Sequence, residues 1–497
     1  MPAGKKLKIL FVTSEVVPFI KTGGLADVSS ALPQILQELG HQVRIVVPKY
    51  GAIDERKYKI HEVVRLKDLT TEIDKKEVVF SLRSSFLIGQ KTRVQIYFLD
   101  NIEYYGSRHS LYSDPMTGEE YSDNDERFIL LARSIFDLIQ KLGWIPDIIH
   151  CNDWQCGLIP VYLKTMYNDD PMFENIKTVF TVHNLASQGV FPKSSFLKTG
   201  LPKKLEAESG VLQKGKMNFL KGGLLFADAI NTVSETYAKE ISEDKTLGLG
   251  LFNTLSKRKK DLYGIINGID DSIWNPENDT KIPKKYSIKN IDHKIENKKA
   301  LADNFNLEFK KDVPIIGIIS RLVDNKGFDL LKKAVPDLLK IDAQFVILGT
   351  GDKKYHKFLE TLSSKYPNKF SCYLGFDDEL AHLIEAGSDM FLMPSLYEPC
   401  GLNQMYSLMY GTVPIVRKTG GLADTVIPYY SKNEEGNGFV FEKYNTKEMI
   451  AEIKNAVKVY SSDQKTWQKI MKNGMKSNFS WLNSAKNYVD LYRKLTD

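Results

Sequence analysis

Seven residues occur twice in this chain, letter for letter: Lys21-Thr22-Gly23-Gly24-Leu25-Ala26-Asp27 returns as Lys418-Thr419-Gly420-Gly421-Leu422-Ala423-Asp424. Each copy follows an apolar run that reads as a buried strand, Leu7 to Val12 in one half and Val413 to Val416 in the other, and each leads into a helical pattern. Paired glycines at a strand-to-helix junction let another group come close to the backbone, and the free amides of the helix start suit an anion. One copy alone reads as a tight turn. Two copies in a chain of 497 residues point to two α/β units, each with a ligand loop.

The rest of the pattern agrees. From Lys8 to Val47 it runs strand, loop, helix, strand, with Leu25, Val28, Leu32, Ile35, Leu36 and Leu39 spaced as one helical stripe before Gly40 and a second strand at Ile45 to Val47. The theme recurs at Asp147 to Ile149, Thr178 to Phe180 and Ala229 to Asn231. After Asn267-Gly268 and a Lys/Asn-rich stretch from about Asn278 to Lys299 it starts again at Pro314 to Ile319, with further strands at Gln344 to Leu348, Met390 to Met393 and Val413 to Val416 and a helix at Asp378 to Ala386. The region from Thr446 onward reads as helical, with Trp481, Tyr488 and Tyr492 as apolar anchors. The fold class is α/β: two doubly wound Rossmann-like domains, 1–263 and 264–478, with the ligand cleft expected beyond the carboxyl ends of both sheets.

Composition narrows the function. Lys and Arg number 68 against 62 Asp and Glu, a net charge of +6 with no dense basic block, so a small anionic substrate fits better than nucleic acid. No run approaches the roughly 18 apolar residues of a membrane span. Four cysteines in so long a chain argue for a reducing compartment, and Cys151 and Cys156, with four residues between them, match no common zinc spacing. The cytosol is the expected location, or the plastid stroma if a transit peptide has been removed. Fingerprints of dinucleotide oxidoreductases, P-loop NTPases, zinc proteases and thiol redox proteins are absent, and Gly349-Thr350-Gly351-Asp352 is a partial nucleotide signal at most.

Several residues at strand ends carry chemistry. Glu398-Pro399-Cys400-Gly401-Leu402 follows one strand and precedes a helix, placing a carboxylate beside the amides of Gly401 and Leu402. Ser320-Arg321-Leu322 and Lys326-Gly327 supply two cations of the kind a leaving diphosphate needs. His183-Asn184 follows another strand, where the imidazole suits a sugar hydroxyl or a hydrogen-bonded core equally. Asp153 offers a carboxylate acceptor, and Trp154 an aromatic face that serves ligand or core alike.

Taken in order, the Lys21-Thr22-Gly23-Gly24-Leu25 loop, His183-Asn184 with Gln188-Gly189, Ser320-Arg321-Leu322 with Lys326-Gly327, Glu398 to Leu402, and Thr419-Gly420-Gly421-Leu422 resemble the bacterial-type glycogen synthases and plant-type starch synthases over essentially the whole chain. The resemblance implies the GT-B glycosyltransferase fold with its two-domain cleft, and a C-terminal helix, 479–497, crossing back to the first domain. It implies a retaining α-1,4-glucosyltransferase that moves glucose from ADP-glucose to the non-reducing end of a glycogen, starch or maltooligosaccharide chain, with no cofactor and no metal. Carried over by motif, Glu398, His183, Arg321 and Lys326 are the catalytic set. Lys21, Gly24, Asp27, Asp153, Asn184, Asn267, Gly401, Leu402, Thr419 and Gly420 bind substrate, and Tyr112 matches a family tyrosine loosely.

The chain also departs from the family. Asn152 and Gln155 stand where many members have histidines, Phe252-Asn253 replaces an Asp-Gly, and Ser187 sits where a tyrosine is common. Tyr406 fills the position at which many related transferases place a second glutamate. Two rival readings follow: a transferase using UDP-glucose with another acceptor, and a non-catalytic glucan-binding homologue. The first would lack the early Lys-Thr-Gly-Gly-Leu loop. The second should have lost Glu398, Arg321, Lys326 or Lys21, all of which are present.

Overall fold

In the computed structural model, which describes residues 5–89, 91–430 and 435–497, the apolar runs become parallel strands. The chain forms two compact units, one of Met1–Val233, Ala238–Asn267 and Trp481–Asp497, the other of Ser234–Tyr237 and Gly268–Ser480.

The first unit is built on β1 (Lys8–Val12), β2 (Gln42–Pro48), β3 (Lys76–Ile88), β4 (Arg93–Asp100), β5 (Ile148–Asn152), β6 (Lys177–Val182), β7 (Ala229–Thr232) and β8 (Leu262–Gly264). They lie in the order β8-β7-β6-β5-β1-β2-β4-β3, parallel as far as β4, with β3 antiparallel at the far side and two shorter strands, His61–Glu62 and Leu69–Ile73, paired to it. Central parallel strands are covered on both faces, and for that reason β1 reads as an unbroken apolar run from Ile9 to Val12 and every residue of β5 is buried, His150 and Asn152 included. Register sets Val12 beside Cys151, Cys151 beside Phe180 and Val182 beside Thr232, so β1, β5, β6 and β7 end at one level. Strand order reverses between β1 and β5, the position at which such sheets open a crevice at their carboxyl edge.

Helix Gly24–Glu38 buries Leu25, Val28, Leu32 and Leu36 against this sheet. Leu39, expected in the same stripe, lies past the last turn as the C-cap and is exposed; Gly40, at φ 95°, then turns the chain into β2. The helical region read from Thr446 onward is three helices, Thr446–Ser462, Gln464–Met475 and Trp481–Thr496. Asp463 makes the first break, its side chain capping the next helix through the Thr466 amide. The last helix belongs to the first unit: Tyr492 meets His150 Nδ1 at 2.7 Å, and Asn231 donates to the Tyr488 hydroxyl at 3.0 Å.

The second unit carries β9 (Ile315–Ile319), β10 (Gln344–Gly349), β11 (Phe370–Leu374), β12 (Met390–Met393), β13 (Val413–Arg417) and β14 (Phe439–Phe441), all parallel in the order β11-β10-β9-β12-β13-β14. Alternate residues serve the two faces, Ile316, Phe345, Met390 and Ile415 on one and Ile315, Val346 and Phe391 on the other. Its strand order reverses between β9 and β12. The Lys/Asn-rich stretch before β9 is not a surface connection. Ile282 and Tyr286 pack with Ala386 and Tyr410, and helix Lys294–Asn304 buries Lys294 on the Ala386 carbonyl (2.7 Å) and the Thr412 hydroxyl (2.6 Å) and Lys298 on Asp389 (2.9 Å). Among the described residues no helix is long and apolar enough to cross a membrane.

Candidate active site

In the first unit the expected residues gather where β1, β5 and β6 end. β1 runs into Thr13-Ser14-Glu15, and the Glu15 side chain, almost fully buried, turns toward the first Lys-Thr-Gly-Gly loop. Its Oε2 accepts from the Thr22 amide, from the Thr22 hydroxyl at 2.9 Å and from the Gly23 amide at 3.2 Å. Burial raises the Glu15 pKa against these donors, which pull it down. One carboxylate therefore holds the loop open from beneath. Above it a β-carbon on Gly24 would meet nothing within 4 Å, so the start of helix Gly24–Glu38 is accessible to a ligand. Lys21 and Asp27, expected to address the donor separately, pair with each other at 2.8 Å, both half-exposed.

Asp153, His183 and Asn184 are brought together. Asp153 follows β5 at φ 55°, a region non-glycine residues seldom adopt. Its carboxylate accepts from the His183 amide at 2.7 Å and from the Asn184 backbone, and burial pushes its pKa up to about 7. It thus faces the chain's own amides. The His183 ring lies 3.0 Å from Asn152 Oδ1, and burial pushes its pKa down to about 4. Tyr112, half-buried, takes Gln155 Nε2 at 2.6 Å and Ser14 Oγ at 3.0 Å. Trp154 proves to be packing: it lies within 4.8 Å of the Phe128 ring, and a β-carbon on Gly189 would strike its indole at 2.2 Å. Asn267 is buried, and among the described residues its Oδ1 has no hydrogen-bond partner.

In the second unit Arg321 and Lys326 follow β9, and Glu398 follows β12, on the two sides of the strand-order reversal. Lys326 Nζ reaches both Glu398 carboxylate oxygens, at 2.8 and 2.6 Å, and the Ser395 hydroxyl donates to the same group at 3.0 Å. Gly327, at φ 80°, is required there, because a β-carbon would lie 2.2 Å from the Pro394 carbonyl oxygen. Arg321 is exposed and makes no ion pair among the described residues. Gly401 and Leu402 lead into helix Asn403–Met409.

The second copy of the repeated loop has a different job from the first. Expected to leave room for a ligand, Gly420 and Gly421 instead make room for the chain itself: β-carbons there would lie 1.9 Å from the carbonyl oxygens of Glu398 and Cys400. The Gly421 amide donates to the Glu398 carbonyl at 3.1 Å. Gly420 and Gly421 therefore brace the Glu398 loop through the backbone. Sequence reading passed over Glu15 and Ser395, although each is a polar residue just past a strand end, next to residues it did single out.

The sequence comparisons fit this arrangement. Residues 8–257 match the family model described as starch synthase catalytic domain, and residues 301–476 that of glycosyl transferases group 1. Glycogen synthase of Geotalea daltonii is 45% identical over 487 residues, covering 98% of each chain. That of Desulforudis audaxviator is 42% identical over 497 residues, covering 98% of this chain and 96% of the relative. The catalytic domain of starch synthase IV from Arabidopsis thaliana, solved bound to ADP and acarbose, superposes with a TM-score of 0.87 at 30% identity, over 99% of this chain and 100% of that one. Sucrose-phosphate synthase of Thermosynechococcus elongatus shares the fold at 17% identity and a TM-score of 0.59, over 99% of both chains. Two doubly wound units, and relatives of this identity along nearly the whole length, place the chain in the glycogen and starch synthase family of GT-B glucosyltransferases.

Proposed function

We propose that this glucan synthase takes glucose from ADP-glucose and adds it to the non-reducing end of an α-1,4-glucan, retaining configuration at the anomeric carbon. The observation that carries the reading is the Lys326–Glu398 pair beside the exposed Arg321: two cations and a carboxylate held at one strand-order reversal. ADP and acarbose in the structure of the Arabidopsis relative support the choice of donor and of an oligosaccharide-like acceptor.

Without donor, Lys326 and Glu398 satisfy each other. In the reaction Lys326 and Arg321 take the diphosphate oxygens, on which negative charge grows as the sugar–oxygen bond breaks, and Glu398 takes hydroxyls of the transferred glucose. His183 supplies a hydrogen bond to that glucose and its backbone carbonyl near the anomeric carbon. The acceptor hydroxyl attacks from the face the diphosphate leaves, and its proton passes to the departing phosphate oxygen. Lys21, Gly24 and Asp27 are assigned to the donor, with Asp153, Asn184 and Asn267 to the sugar's surroundings. Gly401, Leu402, Thr419 and Gly420 are assigned to the loop that presents Glu398. We further propose a cytosolic location, the compartment expected for a chain this long with only four cysteines.

Purified protein given glycogen with labelled ADP-glucose or UDP-glucose tests this. Label should enter from ADP-glucose and be released by an exo-acting α-1,4-glucanase, with chelator making no difference. Preference for UDP-glucose would overturn the donor assignment, and loss of activity in EDTA restored by a divalent ion would overturn the metal-free mechanism.

A further inference from the structure

His183 Nε2 lies 3.0 Å from Asn152 Oδ1. The Asn152 amide is not free to turn over, because its Nδ2 donates to the Val12 carbonyl at 2.9 Å and the residue is fully buried at the end of β5. A carbonyl oxygen only accepts, so the hydrogen between the two side chains belongs to His183 Nε2. Burial keeps the ring neutral, and a neutral imidazole carries a single N–H. Nδ1 is then the ring's lone-pair atom. The backbone is pinned as well: the amide of His183 donates to Asp153, the residue next to Asn152, so consecutive side chains fix both ring and main chain. Asp153 and His150 are the titratable neighbours of the ring, and both are buried.

We infer that Asn152 is a positioning residue that locks His183 as the Nε2–H tautomer, leaving Nδ1 to accept a hydroxyl hydrogen of the transferred sugar. This rests on the sugar-binding reading of His183 given above. An amide whose Nδ2 is already committed to Val12 presents only its accepting oxygen to the ring, and so selects one tautomer.

The test begins with the unmodified full chain labelled with 15N-histidine, its His183 signals identified by their loss in His183→Gln. Long-range 1H–15N correlations should show a single neutral Nε2–H form between pH 6 and 8. An Nδ1–H form, or a mixture, overturns the inference, and this readout does not depend on activity. In Asn152→Ala both tautomers should appear, and kcat should fall about tenfold, the worth of one hydrogen bond to the sugar, with KM for glycogen within about twofold. In Asn152→Asp, which keeps the accepting oxygen and adds charge, protonation of His183 and the acid limb of kcat should both move up by about one pH unit or more. A single tautomer and unchanged kcat in Asn152→Ala would overturn the inference. Undiminished kcat in His183→Ala would instead overturn the reading of His183 on which it rests.

Discussion

Lys326 Nζ reaches both carboxylate oxygens of Glu398, and the Ser395 hydroxyl, 3.0 Å from Oε2, fixes the carboxylate independently. Removing either partner therefore has two separable effects. Lys326→Ala and Glu398→Ala should each lower kcat by about a hundredfold or more, as for one preorganised transition-state contact. Lys326→Ala should also cost roughly 2–3 kcal/mol of stability, because it strands a buried carboxylate, while Glu398→Gln should cost less. Steady-state kinetics and thermal denaturation of the same preparations read the two effects. Near-normal turnover in either alanine variant would remove that residue from the catalytic set.

The two copies of the Lys-Thr-Gly-Gly loop should respond oppositely to alanine. Gly24→Ala adds a β-carbon in open space at a helix start and should leave the stability unchanged or slightly raised, by up to about 1 kcal/mol, while lowering kcat/KM for the donor about tenfold. Gly421→Ala drives a β-carbon into the Cys400 carbonyl, 1.9 Å away, and should destabilise the fold by at least about 2 kcal/mol. Equal melting temperatures for the two variants would contradict this division of labour.

Glu15→Ala should loosen the first loop. Its carboxylate receives the Thr22 and Gly23 amides, and truncation leaves them without that acceptor, at a cost of about 1–3 kcal/mol. Glu15→Gln keeps one accepting oxygen and should stay within about 1 kcal/mol of the parent. Hydrogen exchange at Thr22 and Gly23 would separate loop opening from global unfolding. Protected amides in Glu15→Ala would show that the loop is held by something else.

Asp153 should leave a signature in the pH dependence of stability. Folded, it holds its proton up to about pH 7, whereas its ordinary value is 3.8, so unfolding between those values releases a proton and stability falls as pH rises through that window. His183 and His150 act in the opposite sense, since burial keeps them neutral in the fold down to about pH 4 and 3 against an ordinary value of 6.5. The difference between the parent and Asp153→Asn, followed by chemical denaturation from pH 4 to 8, should isolate the first term. It should move against the parent with rising pH and level off above about 7. A difference independent of pH would place the Asp153 pKa at its ordinary value.

Both sheets were legible in the sequence because buried parallel strands leave unbroken apolar runs such as Ile9 to Val12 and Ile315 to Ile319. Clusters whose members lie near one another in the chain were legible too, as with His183 and Asn184, or Gly401 and Leu402 after Glu398. Pairings across long separations were not. Nothing in the letters says that Glu15 caps a loop seven residues on, or that Lys294 and Lys298 are buried, since lysine usually signals solvent and here finds carbonyls and a carboxylate contributed from beyond Asp378. The repeated heptad misled most. Identical letters stand for an open helix start in one place and for a close backbone contact in the other, because a glycine's use depends on what lies opposite its missing β-carbon.

The membership of Trp481–Asp497 in the first unit bears on how the protein is made. A ribosome delivers the chain from its amino end, so the sheet carrying His150 and Asn231 is synthesised long before Tyr492 and Tyr488, which cover those two side chains. Until then the first unit has an unroofed patch. A chain terminated before Trp481 keeps that patch bare and offers the imidazole and the amide to solvent or to a chaperone. Completion of the unit that emerges first thus awaits the synthesis of its last helix, and a nascent chain signals that this helix has been made by closing it over its earliest strands.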